Sequence, residues 1–143
     1  MRIVIDTTPH NDQRYNSVGD WRWEATSETL TTLHIRVSEF PSGMKNSKWK
    51  YEFLIGIHEL VEAILCESQG ISEKQVDDFD INEKIDEECF ELDVEQGDHP
   101  EAPYKHQHNI ATGIERILCA TLGIDWYEYD HQIEKMCEAY NTK

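Results

Sequence analysis

Phe53-Leu54-Ile55-Gly56-Ile57-His58-Glu59-Leu60-Val61-Glu62-Ala63-Ile64-Leu65 is where the chain changes its period. Upstream, apolar and polar residues alternate, as in half-buried strands. From residue 48 onward apolar residues recur every three or four positions, as on a helix. Trp49, Phe53, Ile57, Leu60 and Ile64 fall on one stripe and are the expected inner face of this helix. Gly70 is expected to stop it.

Three strands are read upstream. Arg2-Ile3-Val4-Ile5-Asp6 is a short apolar strand closed by Thr7-Thr8-Pro9. Residues 10–20 are polar, contain Gly19 and read as a loop. Trp21–Ala25 alternates, and Leu33, Ile35 and Val37 alternate with His34, Arg36 and Ser38 more strongly. Thr26-Ser27-Glu28-Thr29 suits a hairpin between these runs, and Pro41-Ser42-Gly43 closes the β region.

Downstream the pattern stays helical. One helix is expected to start after Ser72, and another to span about 80–95 with Ile81, Ile85, Cys89 and Leu92 in register. Residues 97–103 form a Gly/Pro loop. A helix over about 106–122 ends at Gly123, with Ile110, Ile114, Ile117 and Leu118 facing inward. Asp125 caps a last helix, with Glu128 three residues on. There, Trp126-Tyr127-x-Tyr129 reads as a helix docking onto the sheet. The expectation is one α+β domain over residues 1–143: a small N-terminal antiparallel sheet of about three strands, then four or five helices.

Composition narrows the function. The chain has 143 residues, of which 38% are hydrophobic and 29% charged, within the range of one folded domain. No apolar run approaches a membrane span. The first residues turn polar too soon for a secretory signal, so a cytoplasmic chain is expected. The formal net charge of -16 repels nucleic-acid phosphates. It suits cation capture, docking onto a basic protein surface, or imitation of DNA. Cys66, Cys89, Cys119 and Cys137 form no CxxC pair and read as reduced thiols.

His58 and Glu62 stand four residues apart, on one helix face and within reach of a common ion. Glu59 sits beside them, about 100° round the helix, placed as a general base rather than a ligand. A helix supplies only two ligands, so a third must come from elsewhere. His106 and His108 are the candidates, with His108 preferred because it lies deeper in its helix; His99 and His131 are weaker. Glu115 shares the stripe of His108 and is a candidate acceptor for a ligating imidazole. The alternative is a buried His58–Glu62 hydrogen bond with no metal. Asp78-x-Asp80-x-Asn82 begins like a calcium loop, but Glu83 and Cys89 replace its turn glycine and bidentate glutamate, so these acids read as helix caps and solvated charges.

The His58-Glu59-x-x-Glu62 segment, following a small sheet and preceding a downstream histidine, resembles a minimal zincin-like metallopeptidase with Glu in place of the second motif histidine. That resemblance spans roughly residues 20–115. It implies His58, Glu62 and His108 as ligands, Glu59 as catalytic base, and a peptide or protein substrate pairing with an edge strand at Leu33–Val37. Zinc is the first expectation, and the extra carboxylate brings iron, manganese or nickel within range. The chain also resembles small uncharacterised bacteriophage proteins, through Asp6–Tyr15 and Ala111–Arg116. This implies a host-cytoplasm setting but no particular activity. Two functions therefore stand: a metal-dependent hydrolase, or a non-catalytic acidic protein docking onto a host protein, with any metal structural.

Overall fold

The computed structural model describes residues 1–25, 27–44 and 48–140. Strands β1 (Arg2–Thr8), β2 (Gly19–Ala25) and β3 (Thr31–Ser38) precede helices α1 (Lys48–Ser68), α2 (Glu73–Asp80), α3 (Glu83–Leu92), α4 (Lys105–Thr121) and α5 (Trp126–Glu138). Short 3-10 turns lie at His10–Asp12 and Gln96–Asp98. The α+β expectation holds. Of the expected hairpin connection, Thr26 lies outside the described residues; Ser27 N–H donates to the Leu30 carbonyl at 3.2 Å.

Two expectations about the sheet are corrected. It is mixed, not antiparallel: the order is β1-β3-β2, with β3 antiparallel to β2 and parallel to β1. Strands joined by a tight turn must run antiparallel, which fixes β2 against β3. Residues 9–18 are long enough to carry the chain past the width of an intervening strand, so β3 enters between the first two. Leu33–Val37 is therefore the central strand, not an edge that could pair with a peptide. Leu33, Ile35 and Val37 are at most 1% exposed.

The helix termini follow local chemistry. Ser72 and Gln75 form a full capping box at the start of α2, and the Asp125 side chain accepts from Glu128 N–H at the start of α5. Gly70 and Gly123 take positive φ just beyond α1 and α4. At each, the following residue donates back into the last helical turn (Ile71 to Cys66, Ile124 to Cys119).

The inner faces of the two long helices differ from expectation. Along α1, Tyr51, Leu54, Ile55, His58, Glu62, Ala63 and Cys66 are buried, while Trp49, Phe53 and Ile64 are exposed. Along α4, Gln107, His108, Ala111, Glu115 and Cys119 are buried, while Ile117 is exposed. Both helices carry apolar residues on more than one side, so periodicity alone did not select a face. The faces that meet are those whose polar groups find partners across the α1–α4 interface. In α3 only Ile85 and Cys89 of the expected register are buried. α5 docks onto α1 and α4 rather than the sheet: the Tyr129 ring lies 5.3 Å from that of Tyr51, its hydroxyl donates to Glu115, and Tyr127 stays exposed. The four cysteines are free thiols, and burial pushes that of Cys66 up to about 12.

Candidate metal centre

α1 and α4 cross with His58 and Glu62 on one side and His108 and Glu115 on the other, and all four are buried. His58 Nε2 lies 3.2 Å from His108 Nδ1 and 3.4 Å from Glu62 Oε2, and His108 Nδ1 lies 3.0 Å from that same oxygen. Three ligand atoms held about 2.0–2.1 Å from a tetrahedral ion stand about 3.3 Å apart. The triangle therefore has the size of one face of such a coordination shell.

The second polar atom is hydrogen-bonded in His58 and Glu62, and in His108 it faces two carboxylates. His58 Nδ1 donates to Glu115 Oε2 at 2.8 Å, and Glu115 Oε1 in turn accepts the Tyr129 hydroxyl. An ionised carboxylate only accepts, so Nδ1 carries the hydrogen and Nε2 of the neutral ring presents a lone pair. Glu62 Oε1 accepts the Trp21 indole N–H at 3.0 Å, leaving Oε2 for the centre. His108 Nε2 faces Glu95 at 3.6 Å and Asp98 at 3.9 Å, which favours the hydrogen there and a lone pair on Nδ1. With both rings neutral, three lone pairs converge on one point and need a cation; with added protons the same contacts are hydrogen bonds. Carboxylate partners behind ligating imidazoles are the usual outer support of a metal site.

The charges agree. Burial alone would lower the His58 pKa, but its hydrogen bonds to Glu115 and Glu62 hold it well above the ordinary value. His108 is raised against burial by Glu62. For Glu62, burial would act upward, yet the bonds from His108 and His58 bring it down to about 2. The cluster attracts positive charge, whether protons or a metal ion.

His106 is exposed and lies outside the cluster, so of the two proposed third ligands the fold brings only His108 to His58 and Glu62. His131 pairs with Glu134 on the surface. His99 also gathers with Glu88 and Glu101, but its Nδ1 accepts Glu101 N–H at 3.2 Å and its Nε2 faces Glu88 at 3.2 Å. That imidazole is satisfied by one tautomer and needs no ion.

The centre opens onto a cleft of about 620 Å³, which Glu59 also lines. Glu59 is partly buried, and burial followed by the nearby Glu62 charge pushes its pKa well above the carboxylate range. A Cβ on Gly19 would overlap the Glu59 carboxylate, and one on Gly97 would overlap the His108 ring. At both points glycine lets backbone approach the site closely.

Several residues here were not singled out from the sequence. Trp21 was read only as part of a strand. Asp80 was expected among solvated acids but is buried, accepting the Tyr104 hydroxyl at 2.5 Å and the Tyr15 hydroxyl at 3.4 Å, and burial raises it to about 7. Asn82, by contrast, does cap α3, through Lys84 N–H. The strand edge bordering the cleft is β2, not β3. Gly19, Asp20 and Trp21 line the cleft, while Trp23 N–H is already held by Glu73 at 2.8 Å.

No family model, curated protein or solved structure matches this chain. Among the described residues, no helix is long and apolar enough to cross a membrane.

Proposed function

We propose that this protein holds a divalent metal ion, zinc in the first instance, between His58 Nε2, Glu62 Oε2 and His108 Nδ1, and uses it to hydrolyse a peptide or related amide bond. The observation that carries the reading is the convergence of three ligand atoms, with His58 held from behind by Glu115, Glu62 by Trp21, and the far nitrogen of His108 lying 3.6 Å from the Glu95 carboxylate and 3.9 Å from that of Asp98. A hydrogen-bonded pair serving only the fold needs no third lone pair aimed at the same point.

An ion held there would supply a Lewis acid that makes water easier to deprotonate. Glu59 takes the proton. Burial makes it more basic than an ordinary carboxylate, and its position on the cleft gives it access. The ligand carboxylate would make the ion a weaker acid than an all-histidine set would.

The test is elemental analysis of the purified protein beside His58→Ala and His108→Ala, with cleavage of a peptide library by the same samples. One equivalent of metal in the parent and none in either variant is expected, with cleavage only in the metal-loaded parent. A parent that stays metal-free when offered zinc, iron, manganese or nickel would leave the cluster as a proton-sharing pair of ion pairs. Metal without cleavage of any peptide would leave a structural ion in an acidic protein whose charge suits a basic partner.

A further inference from the structure

The sheet face that α1 covers does not end at β3. Parallel pairing sets Ile3 beside Leu33 and Ile5 beside Ile35, so all four side chains share one face. Leu33 and Ile35 are 0% and 1% exposed, whereas Ile3 and Ile5 are 42% and 46% exposed. α1 approaches β1 at Gly56, where a Cβ would stand 3.2 Å from Ile5 Cγ2. Helical spacing puts Trp49, Phe53 and Leu60 within about 60° of Gly56 on the helix surface. Trp49 and Phe53 are exposed, so an apolar seam runs along the outer side of β1 and up the adjoining flank of α1.

The two edges of the sheet are also treated differently. On β2 the Glu73 carboxylate takes the Trp23 N–H, with Arg22 nearby at 3.7 Å, and this blocks strand addition. β1 pairs with β3, and among the described residues no strand lies on its other side. It carries no proline or lysine of the kind that usually blunts a strand edge.

We propose that β1 is a dimerisation strand that pairs antiparallel with β1 of a second copy, joining two three-stranded sheets into one. The occupant follows from the strand's own sequence. With the pairing centred on Val4, Arg2 of each copy stands opposite Asp6 of the other, Ile3 opposite Ile5, and Val4 opposite itself. Charges are matched and apolar residues face each other only in this register. Centring on Ile5 would set Val4 against Asp6, and centring on Ile3 would set Arg2 against Val4. A two-fold contact requires self-complementarity of this kind, and an unrelated partner does not. The two α1 helices would then lie side by side with Trp49 and Phe53 between them, covering Ile3 and Ile5. The metal-binding stripe is on the opposite side of α1, so the inference is independent of the proposed activity and leaves the cleft open.

The net charge of -16 on each copy opposes association and is screened by salt. The dimer therefore tightens as ionic strength rises, opposite in sign to binding of a basic protein.

The experiment is sedimentation equilibrium of the full chain at low and high ionic strength. The expected mass is twice the 16.8 kDa of one chain, with tighter association at high salt. Ile5→Lys should be monomeric. Arg2→Glu should weaken the dimer about tenfold, since it reverses two cross-strand pairs, and Arg2→Glu with Asp6→Arg should restore it. Circular dichroism and a denaturant melt on each variant separate lost pairing from lost folding. A chain that is monomeric at every salt concentration overturns the proposal. So does a dimer that survives Ile5→Lys, or a double charge swap that fails to restore association while remaining folded.

Discussion

On the α4 side of α1, His58 and Glu62 are 8% and 5% exposed; on the β1 side, Trp49 and Phe53 are 55% and 41% exposed. By hydropathy alone the second pair would be buried and the first solvated. Burying two imidazoles and two carboxylates costs several kcal/mol per ion unless each is paired. The α1–α4 interface meets that cost with ligand-like geometry, whereas the aromatic flank buries less apolar area than it could. The contrast is that this helix turns a polar cluster toward α4 and leaves part of its apolar surface exposed beside the sheet it covers.

The sharpest way to break that contrast is to remove one member of the cluster. His58→Ala leaves Glu62 and Glu115 buried without their common partner, and should lower unfolding stability at neutral pH by about 3–5 kcal/mol while abolishing metal uptake. Denaturant melts with and without zinc measure both. A loss under about 1 kcal/mol would mean that the cluster does not orient the helix.

Glu59→Gln probes the same face without touching a proposed ligand. Hydrolysis should fall by about two orders of magnitude with metal content unchanged and the fold retained. Cleavage at the parental rate by the Gln variant would remove Glu59 as the base.

The polar side also predicts a pH signature. Asp80 has a folded value of about 7, above the ordinary aspartate value near 4, so the native state holds its proton more tightly over that window. Its contribution to stability is present at low pH and is lost as pH rises toward 7. Asp80→Asn should therefore gain about 1–4 kcal/mol over the parent at pH 8 and little at pH 4. His58 and His108, also raised, act in the same direction in metal-free protein, stabilising at low pH and losing that contribution as pH rises through their folded values. Zinc should oppose this trend, because its affinity grows as the ligands lose protons. Melting temperatures across pH, with chelator and with zinc, test both signs. Curves that run parallel would argue against a shared metal and proton site.

The smallest effect is expected on the other flank. Phe53→Ser, on the exposed side, should stay within about 0.5 kcal/mol of the parent under monomeric conditions. Leu54→Ala, one residue along and fully buried, should cost about 2–5 kcal/mol. Similar costs at the two positions would mean that the faces of α1 are not divided in this way.

The sequence by itself determined the element order, the capping of α2 and α5, the stops at Gly70 and Gly123, and the pairing of His58 with Glu62. These are local: they depend on residues at most about four positions apart, where backbone geometry fixes who meets whom. It also pointed to His108 and Glu115, because one stripe of α4 carries both. The tertiary structure decided the rest. The parallel pairing of β1 and the central place of β3 depend on how residues 9–18 cross the sheet, which no alternation pattern encodes. Which face of α1 and α4 turns inward was decided by partners across the interface, since both helices carry apolar residues on competing sides. Trp21, Asp80 and Tyr104 joined the site from three separate elements, and only packing brings residues so distant in the chain within a hydrogen bond of their partners.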